Sequence, residues 1–429
     1  MTFLCLDCFD DAGLKLRIKE IRKDFSSKNK CNFHPSKKGI PVSAIAEIID
    51  PVFQQYYQRD PNFSYDTDVP IDDLCFRIGE LTQCEPEIAK DIESYLIESD
   101  NYRVNSGGEE FYSDTVNYIC AESNQNIHSL LWESFCEKIK HEQRFFNSEA
   151  KDLLIEIFDG IQYQTDESKR HPVYKISPND EKAEFFRARI TNSEDSRNEI
   201  RSNPEQRLGP PPKRKRKAGR MNPSGITTFY GGFDLSTCVA ELRPVVGSII
   251  VGAQFKLERP IYVLDTTRFH VPIKDSSPFY KKYFEKLQQW QFMQQFMYEI
   301  SKPVLPTDEH IDYIPTQAVA EFLLNNENLK LKDANIKIEG IIYPSAQYPN
   351  GKNIAFLGDA ALVKTELPDK SQKNKDKIDN VSNWHEYFTM YEADKDAALA
   401  LIPNSITSIV VSGANYSTDD FYDKDEQSI

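Results

Sequence analysis

Two pairs of soft ligands open the chain: Cys5-x2-Cys8 and, after 22 residues, Cys31-x2-His34. Thiolate sulfur and imidazole nitrogen are zinc ligands, and two short hairpin-like pairs can set four of them at tetrahedral corners. A closed set of four protein ligands leaves no position for a reacting water. The expectation is therefore a structural zinc on Cys5, Cys8, Cys31 and His34, against the alternative of four unrelated reduced side chains. Cys75, Cys84, Cys120, Cys136 and Cys238 show no such pairing.

A second set of reactive types lies in the other half. Phe185-Phe186-Arg187-Ala188-Arg189-Ile190 alternates with period two, which puts Phe186, Ala188 and Ile190 on one face of a strand and both arginines on the other. The expectation is core on one side and a charged cleft on the other. Neighbouring guanidiniums repel unless an anion lies between them, and phosphate fits their forked geometry; an exposed strand face with salt bridges fits the pattern equally well. Further on, Ala218-Gly219-Arg220-Met221-Asn222-Pro223-Ser224-Gly225 precedes a strand Thr227 to Gly231. A short helix should follow, starting near Ser236 as N-cap and ending at Pro244. Cys238, Val239 and Leu242 supply its buried side, which turns Glu241 elsewhere, where it has access to a cleft or is simply solvated.

The elements that must carry these residues differ between the two halves. From about Val42 to Ile161 apolar residues recur at spacings of three and four, as in Ala44-Ile45-Ile48-Ile49-Val52-Phe53 and Leu130-Leu131-Phe135-Ile139, which predicts a helical bundle. Its last helix runs from Ser148 to Phe158, with a serine start and Gly160 behind. Tyr163 to Asp180 is polar, holds Pro172 and Pro178, and reads as a linker. Strand signals follow at Glu184–Ile190, Ser248–Phe255, Ile261–Leu264 and Lys337–Tyr343, with helical pieces at Phe279–Ile300 and Thr316–Leu324 between. Leu367 to Asn380 is rich in lysine and aspartate and reads as a flexible connection; Trp384 to Leu401 looks helical, Ser405 to Ser412 strand-like, and the end is an acidic tail. The organisation expected is a zinc-binding segment 1–41, a helical domain 42–162, a linker 163–180, a mixed α/β domain 181–366 and a charged extension 367–429.

Composition bounds the function classes. The 429 residues are 39% hydrophobic and 12% aromatic, enough for real cores and too much for a disordered or collagen-like chain. With 52 Lys and Arg against 67 Asp and Glu, the formal charge of −15 argues against nucleic acid as a partner unless a local basic patch exists. The run Lys213-Arg-Lys-Arg-Lys217 is such a patch, read as a solvated loop with no assigned role. The N-terminus lacks the basic and apolar regions of a signal peptide, no stretch reaches the roughly 18 apolar residues of a membrane span, and the sparse cysteines suit a reducing, cytoplasmic setting.

Five ordered blocks over about Phe185 to Phe356 resemble the RES domain, a family of bacterial proteins. They are Phe186-Arg187; Gly219-Arg220-Met221-Asn222-Pro-Ser-Gly; Phe229-Tyr230 through Ala240-Glu241-Leu-Arg243-Pro; Asp312-Tyr-Ile-Pro-Thr-Gln317; and Gly340-Ile-Ile-Tyr-Pro-Ser345 with Asn353. The N-terminal part resembles the accessory region, sometimes grouped with HEPN domains, that precedes a subset of them. The resemblance implies an α+β multidomain protein whose second half is an ADP-ribosyltransferase-like split β-sheet clamping NAD+. It implies a toxin or defence effector that cleaves the nicotinamide–ribose bond by hydrolysis or phosphorolysis or transfers ADP-ribose to a protein. It also implies an antitoxin or regulatory partner; whether the chain forms a homo-oligomer stays open.

In that reading Arg187 holds the diphosphate or the nicotinamide-side ribose, with Arg189 and Arg220 as further candidates for the same anion. Tyr230 stacks on the nicotinamide ring, Glu241 meets the ribose hydroxyls and the developing positive charge, and Ser345 serves as a hydrogen-bonding group rather than a nucleophile. Asn353 and Gln317 match family positions and have a structural role as the alternative. Two other classes stand beside it. A HEPN ribonuclease needs an Arg-x4-6-His pair, and the residues after Arg144, Phe-Phe-Asn-Ser-Glu-Ala, contain no histidine. An inactive, zinc-containing adaptor would bind no NAD+. A serine-hydrolase reading of Ser345 lacks a Gly-x-Ser-x-Gly elbow.

Overall fold

The computed structural model describes residues 2–62, 72–105, 107–121, 126–166, 168–270, 277–302, 304–305, 307–326, 329–331, 334–364 and 396–413. They form two compact units, one of residues 1–127 and 273–289, the other of 128–272 and 290–429.

In the first unit, strand β1 (Phe3–Leu4) pairs antiparallel with β2 (Ile40–Pro41), with helix α1 (Ala12–Ile21) between them in sequence. α1 starts on Asp11, whose carboxylate accepts from the Leu14 amide at 2.7 Å and from Ser277 Oγ at 2.7 Å, so the cap also ties the returning segment to the helix. Helix α2 (Val42–Tyr56) buries Ile45, Ile48, Ile49, Val52 and Phe53, the stripe expected from their spacing. Strand β3 (Tyr57–Arg59) pairs with β4 (Tyr118–Cys120), a short sheet inside a region read as mostly helical. Between them lie α3 (Leu74–Thr82), capped by Asp73 and closed by Gln83 in a left-handed conformation, and α4 (Pro86–Asn105). Phe53 packs edge-on against Tyr118 at 5.5 Å in the core, and Ile45, Ile78, Ile92 and Phe279 join the same cluster.

The second unit opens with α5 (Ile127–Glu137), continued by a π turn over 138–142, and α6 (Ser148–Phe158). The cap of α6 is Asn147, which accepts from the Ala150 amide at 2.9 Å, so the serine read as the start is already inside the helix. The polar stretch 163–180 contains β5 (Val173–Ile176), which pairs antiparallel with β9 at the end of the sheet and buries its two end residues, Val173 and Ile176. There follow β6 (Glu184–Thr191), α7 (Glu194–Ser202), α8 (Pro204–Leu208), β7 (Thr228–Gly232) and α9 (Leu235–Glu241). Next come β8 (Ile249–Leu257), β9 (Ile261–Asp265), α10 (Tyr283–Ser301, of which 290–301 belong to this unit), α11 (Glu309–Asp312) and α12 (Ile314–Asn325). The series closes with the small β10 (Lys330–Leu331) and β11 (Ala334–Asn335) ladder, β12 (Ile338–Pro344), β13 (Lys352–Leu357), β14 (Leu399–Leu401) and β15 (Thr407–Val410).

Nine strands form one mixed sheet in the order β14-β8-β6-β7-β13-β12-β9-β5, with β15 also on β8; β12 and β9 run parallel and the other pairs antiparallel. Its core is aromatic: Phe229 meets Phe255 at 5.0 Å and Phe185 meets Phe356 at 4.8 Å. The mixed α/β character is as expected from the strand signals. Residues 399–401, read as the end of a helix, are strand instead, because Leu399 pairs with Leu257 on β8. The remainder of that helix reading, the lysine- and aspartate-rich connection and the acidic tail lie outside the described residues. No helix among the described residues is long and apolar enough to cross a membrane.

Candidate functional site

Two sites are built in different ways, and the second unit holds the larger. β6 runs beside β8 for eight register pairs from Glu184↔Lys256 to Thr191↔Ile249, yet it meets β7 in only one, Phe186↔Gly232. The ladder stops there and the sheet splits. Opposed residues of an antiparallel ladder share a face, so the row Phe186, Gly232, Asn353, Tyr343 defines one side. Tyr230 and Ala188 fall on that side by alternation. Arg187 and Arg189 fall on the other, with Phe185 and Phe229.

The face read as a charged cleft is therefore shared with core aromatics. The Arg187 guanidinium lies 4.5 Å from the centroid of the Phe229 ring, and its Nη1 is buried without a hydrogen-bond partner. Burial, followed by the neighbouring positive charge of Arg189, pushes Arg187 down to about 9. A guanidinium holds its proton, so this shift expresses a buried charge that lacks a counter-ion. Arg189 donates to the Gly209 carbonyl at 3.1 Å, at the end of α8.

On the opposite side, α9 begins two residues earlier than expected from Ser236. Asp234 is the cap, accepting from the Thr237 amide at 2.7 Å and from Thr237 Oγ1 at 2.6 Å, because a carboxylate on an extended residue satisfies the first free amides. Cys238, Val239 and Leu242 pack against Ala188 and Ile250. Glu241, at the exposed end of the helix, then meets the ends of β12 and β13. One oxygen, Oε1, accepts from Ser345 Oγ at 2.6 Å and from Asn353 Nδ2 at 2.7 Å. Oε2 has no partner among the described residues. Three positions spread over 112 residues are thus joined at a single carboxylate. Ser345 Oγ also accepts from the amides of Gln347 and Tyr348, at 3.2 and 3.1 Å, which fixes the turn that presents it.

Tyr230 is anchored by its hydroxyl, which accepts from the Met221 amide and donates to Asn222 Oδ1, both at 2.8 Å. The loop that supplies these groups needs Gly219: a Cβ there would stand 2.7 Å from the Tyr230 hydroxyl. The loop is pinned from α12, where Gln317 Nε2 donates to the Gly219 carbonyl at 2.8 Å and Thr316 Oγ1 to the Arg220 carbonyl at 2.6 Å. Gln317 is accordingly a loop-positioning residue. Arg220 lies 5.0 Å over the Tyr313 ring and donates to the Lys302 carbonyl at 2.7 Å. Burial raises the hydroxyls of Tyr230 and Tyr343, and Tyr343 lies within electrostatic reach of Tyr230, Glu241, Arg220 and Tyr313. Tyr343 and Tyr313 are the members that sequence reading missed as site residues, although both stand inside the quoted blocks. Glu241, Ser345 and Asn353 are brought together by hydrogen bonds; Arg187 is linked to Tyr230 only through its field.

The first unit holds the other site. Cys5, Cys8, Cys31 and His34 place one ligand atom each within 4.8 Å of one another, with the three cysteines buried. The edges are 3.5 Å for Cys8–Cys31, Cys5–His34 Nδ1 and Cys8–His34 Nδ1, 3.8 Å for Cys31–His34 Nδ1 and 4.0 Å for Cys5–Cys8. Ligands at roughly 2.1–2.3 Å from a tetrahedral ion stand about 3.6–3.8 Å apart, so the donors fit such a centre. Burial raises the Cys5 and Cys8 thiols, and a cation is what would let them ionise together.

Residues 189–373 match the family model described as the RES domain. Arg189 is the first matched position, and Arg187 lies just upstream. RES domains are associated with NAD+-related toxin function and, generally, with NAD+-using enzymes. No curated protein and no solved structure matches the chain.

Proposed function

We propose that the second unit is an NAD+-degrading enzyme, cleaving the nicotinamide–ribose bond on an ADP-ribosyltransferase-like split sheet, and that the protein acts as a toxin or defence effector. The observation that carries this reading is the Glu241 carboxylate, oriented through Oε1 by Ser345 and Asn353 and left with an open Oε2. Nicotinamide in NAD+ is a cationic leaving group, so it departs with the bonding electrons and needs no proton; the transition state is oxocarbenium-like. A fixed anion beside that centre stabilises it. Glu241 Oε2 then accepts the proton of an attacking water, giving ADP-ribose, or orients a phosphate or a protein side chain. Tyr230, held by Met221 and Asn222, supplies an aromatic wall for nicotinamide, with Tyr343 beside it. The buried, unpartnered Nη1 of Arg187, at the split beside β7, suits the diphosphate, with Arg189 and Arg220, each giving one donor to a backbone carbonyl, as further candidates for the same anion.

For the first unit we propose zinc on Cys5, Cys8, Cys31 and His34, which would cross-link β1 to the segment before β2 and leave no open coordination position. Catalysis is assigned to the other unit, and an antitoxin that blocks the cleft is the expected partner.

Mass spectrometry of the products from NAD+, with and without phosphate and cell extract, tests the reading and names the acceptor. Release of nicotinamide that falls at least about 100-fold in Glu241→Gln is the expected result. Equal NAD+ loss and equal growth inhibition by that variant would refute the assignment.

A further inference from the structure

A pocket of about 210 Å³ opens in the second unit away from Glu241, lined by Asp166, Arg170, Lys182, Asp265, Arg268 and Lys352 among others. It carries four cations against two carboxylates in a chain whose formal charge is −15. The carboxylates are occupied in holding the arginines. Asp166, nearly buried, receives Arg170 through its own amide at 2.9 Å, Nε at 2.8 Å and Nη2 at 2.7 Å. Asp265, also nearly buried, receives Arg268 Nε at 3.2 Å and both the amide and hydroxyl of Thr267, at 3.1 and 2.6 Å. Arg268 is further fixed flat on Tyr174, 3.8 Å from its centroid, and donates through Nη1 to the His171 carbonyl.

Each guanidinium is thus locked in place with one terminal nitrogen left over, Nη1 of Arg170 and Nη2 of Arg268. Lys352 Nζ touches only Thr267 Oγ1, at 2.8 Å, and Lys182 has no carboxylate partner among the described residues. Donors arrive from four separate segments: the loop after 163, the turn before β6, the turn after β9 and the start of β13. A carboxylate ligand would use a single fork. A tetrahedral dianion matches both the spread of donors and the surplus of two positive charges.

We propose that this pocket binds a phosphate group, either free phosphate or the phosphate of a nucleotide. Lys352 precedes Asn353, the residue that orients Glu241, and its carbonyl accepts from the Phe233 amide at 3.1 Å. Occupation therefore stiffens the strand end that carries Asn353. The site does not rest on the proposed reaction.

The test uses the full chain and isothermal titration at constant ionic strength with inorganic phosphate, 5′-AMP and adenosine. Saturable binding of phosphate, weakened about tenfold or more in Lys182→Ala/Lys352→Ala, is expected. Phosphate binding as tight as 5′-AMP marks a free-anion site; tighter 5′-AMP with silent adenosine marks a carried phosphate. No saturable binding of either, or unchanged affinity in the double variant, overturns the proposal. Lys182→Met, at an exposed side chain with no hydrogen-bond or ion-pair partner among the described residues, gives the same readout should the double variant not fold. Glu241→Gln is expected to keep phosphate affinity, so failure of this site and failure of the NAD+ reading are read separately.

Discussion

The Cys/His cluster and the Glu241 cluster are both small polar centres, but they are assembled over different distances. Cys5, Cys8, Cys31 and His34 come from one short segment closed by the β1–β2 pair, and every edge is set by two tight turns. Glu241, Ser345 and Asn353 come from a helix end and two strand ends, and they meet only because β7, β13 and β12 lie side by side in the sheet. A centre of the first kind is set by a local segment and would gain its stability from an ion; a centre of the second kind is set by the sheet around it and leaves Oε2 of Glu241 without a partner among the described residues.

That contrast can be broken by removing the metal. Chelation, or Cys8→Ser, is expected to cost several kcal/mol or more of the first unit's stability, seen as an early thermal transition with loss of bound zinc. Retention of the early-segment fold without metal would place the cluster among ordinary buried thiols. Asn353→Ala sharpens the other side: loss of the second donor to Glu241 Oε1 is expected to slow NAD+ loss by about tenfold, with little change in melting temperature. A drop in stability without a rate effect would make Asn353 part of the packing alone.

Smaller effects follow from single hydrogen bonds. Tyr230→Phe removes the link to Asn222 and the Met221 amide, which is expected to lower stability by about 1–2 kcal/mol and to raise the KM for NAD+ as the loop carrying Arg220 loosens. Glu93, buried in the first unit, has its carboxyl raised by burial and by the charges of Asp73 and Asp114. The folded state therefore binds its proton more tightly than the unfolded chain. Stability from this group is present at acid pH and is lost as pH climbs through the raised value. Glu93→Gln should then melt higher than the parent near neutral pH and gain nothing in acid; a gain at both would mean that packing rather than ionisation is the cause.

Much of this was legible in the residues. The ligand spacing named the first cluster, and period-two alternation gave β6 and the faces of its arginines. What alternation could not supply was the neighbour across the sheet: Phe229 beneath Arg187 depends on a single rung of pairing between β6 and β7. Ser236 looked like a cap because serine is a good one, yet Asp234 took the role by reaching the Thr237 amide first. Polarity and two prolines made 163–180 read as a linker, and only the pairing of Val173 with Leu264 reveals a strand there. Oε1 of Glu241 receives two donors from positions beyond residue 340, which no local pattern could foretell.

The strand at Val173–Ile176 also bears on where the chain can be cut. The family match begins at Arg189, past the middle of β6, but a fragment started there would lose five of that strand's eight residues and all of β5, baring the hydrogen-bonding groups of β9. Such a piece should stick to itself rather than remain dispersed, so the shortest autonomous version of the sheet has to begin ahead of residue 173.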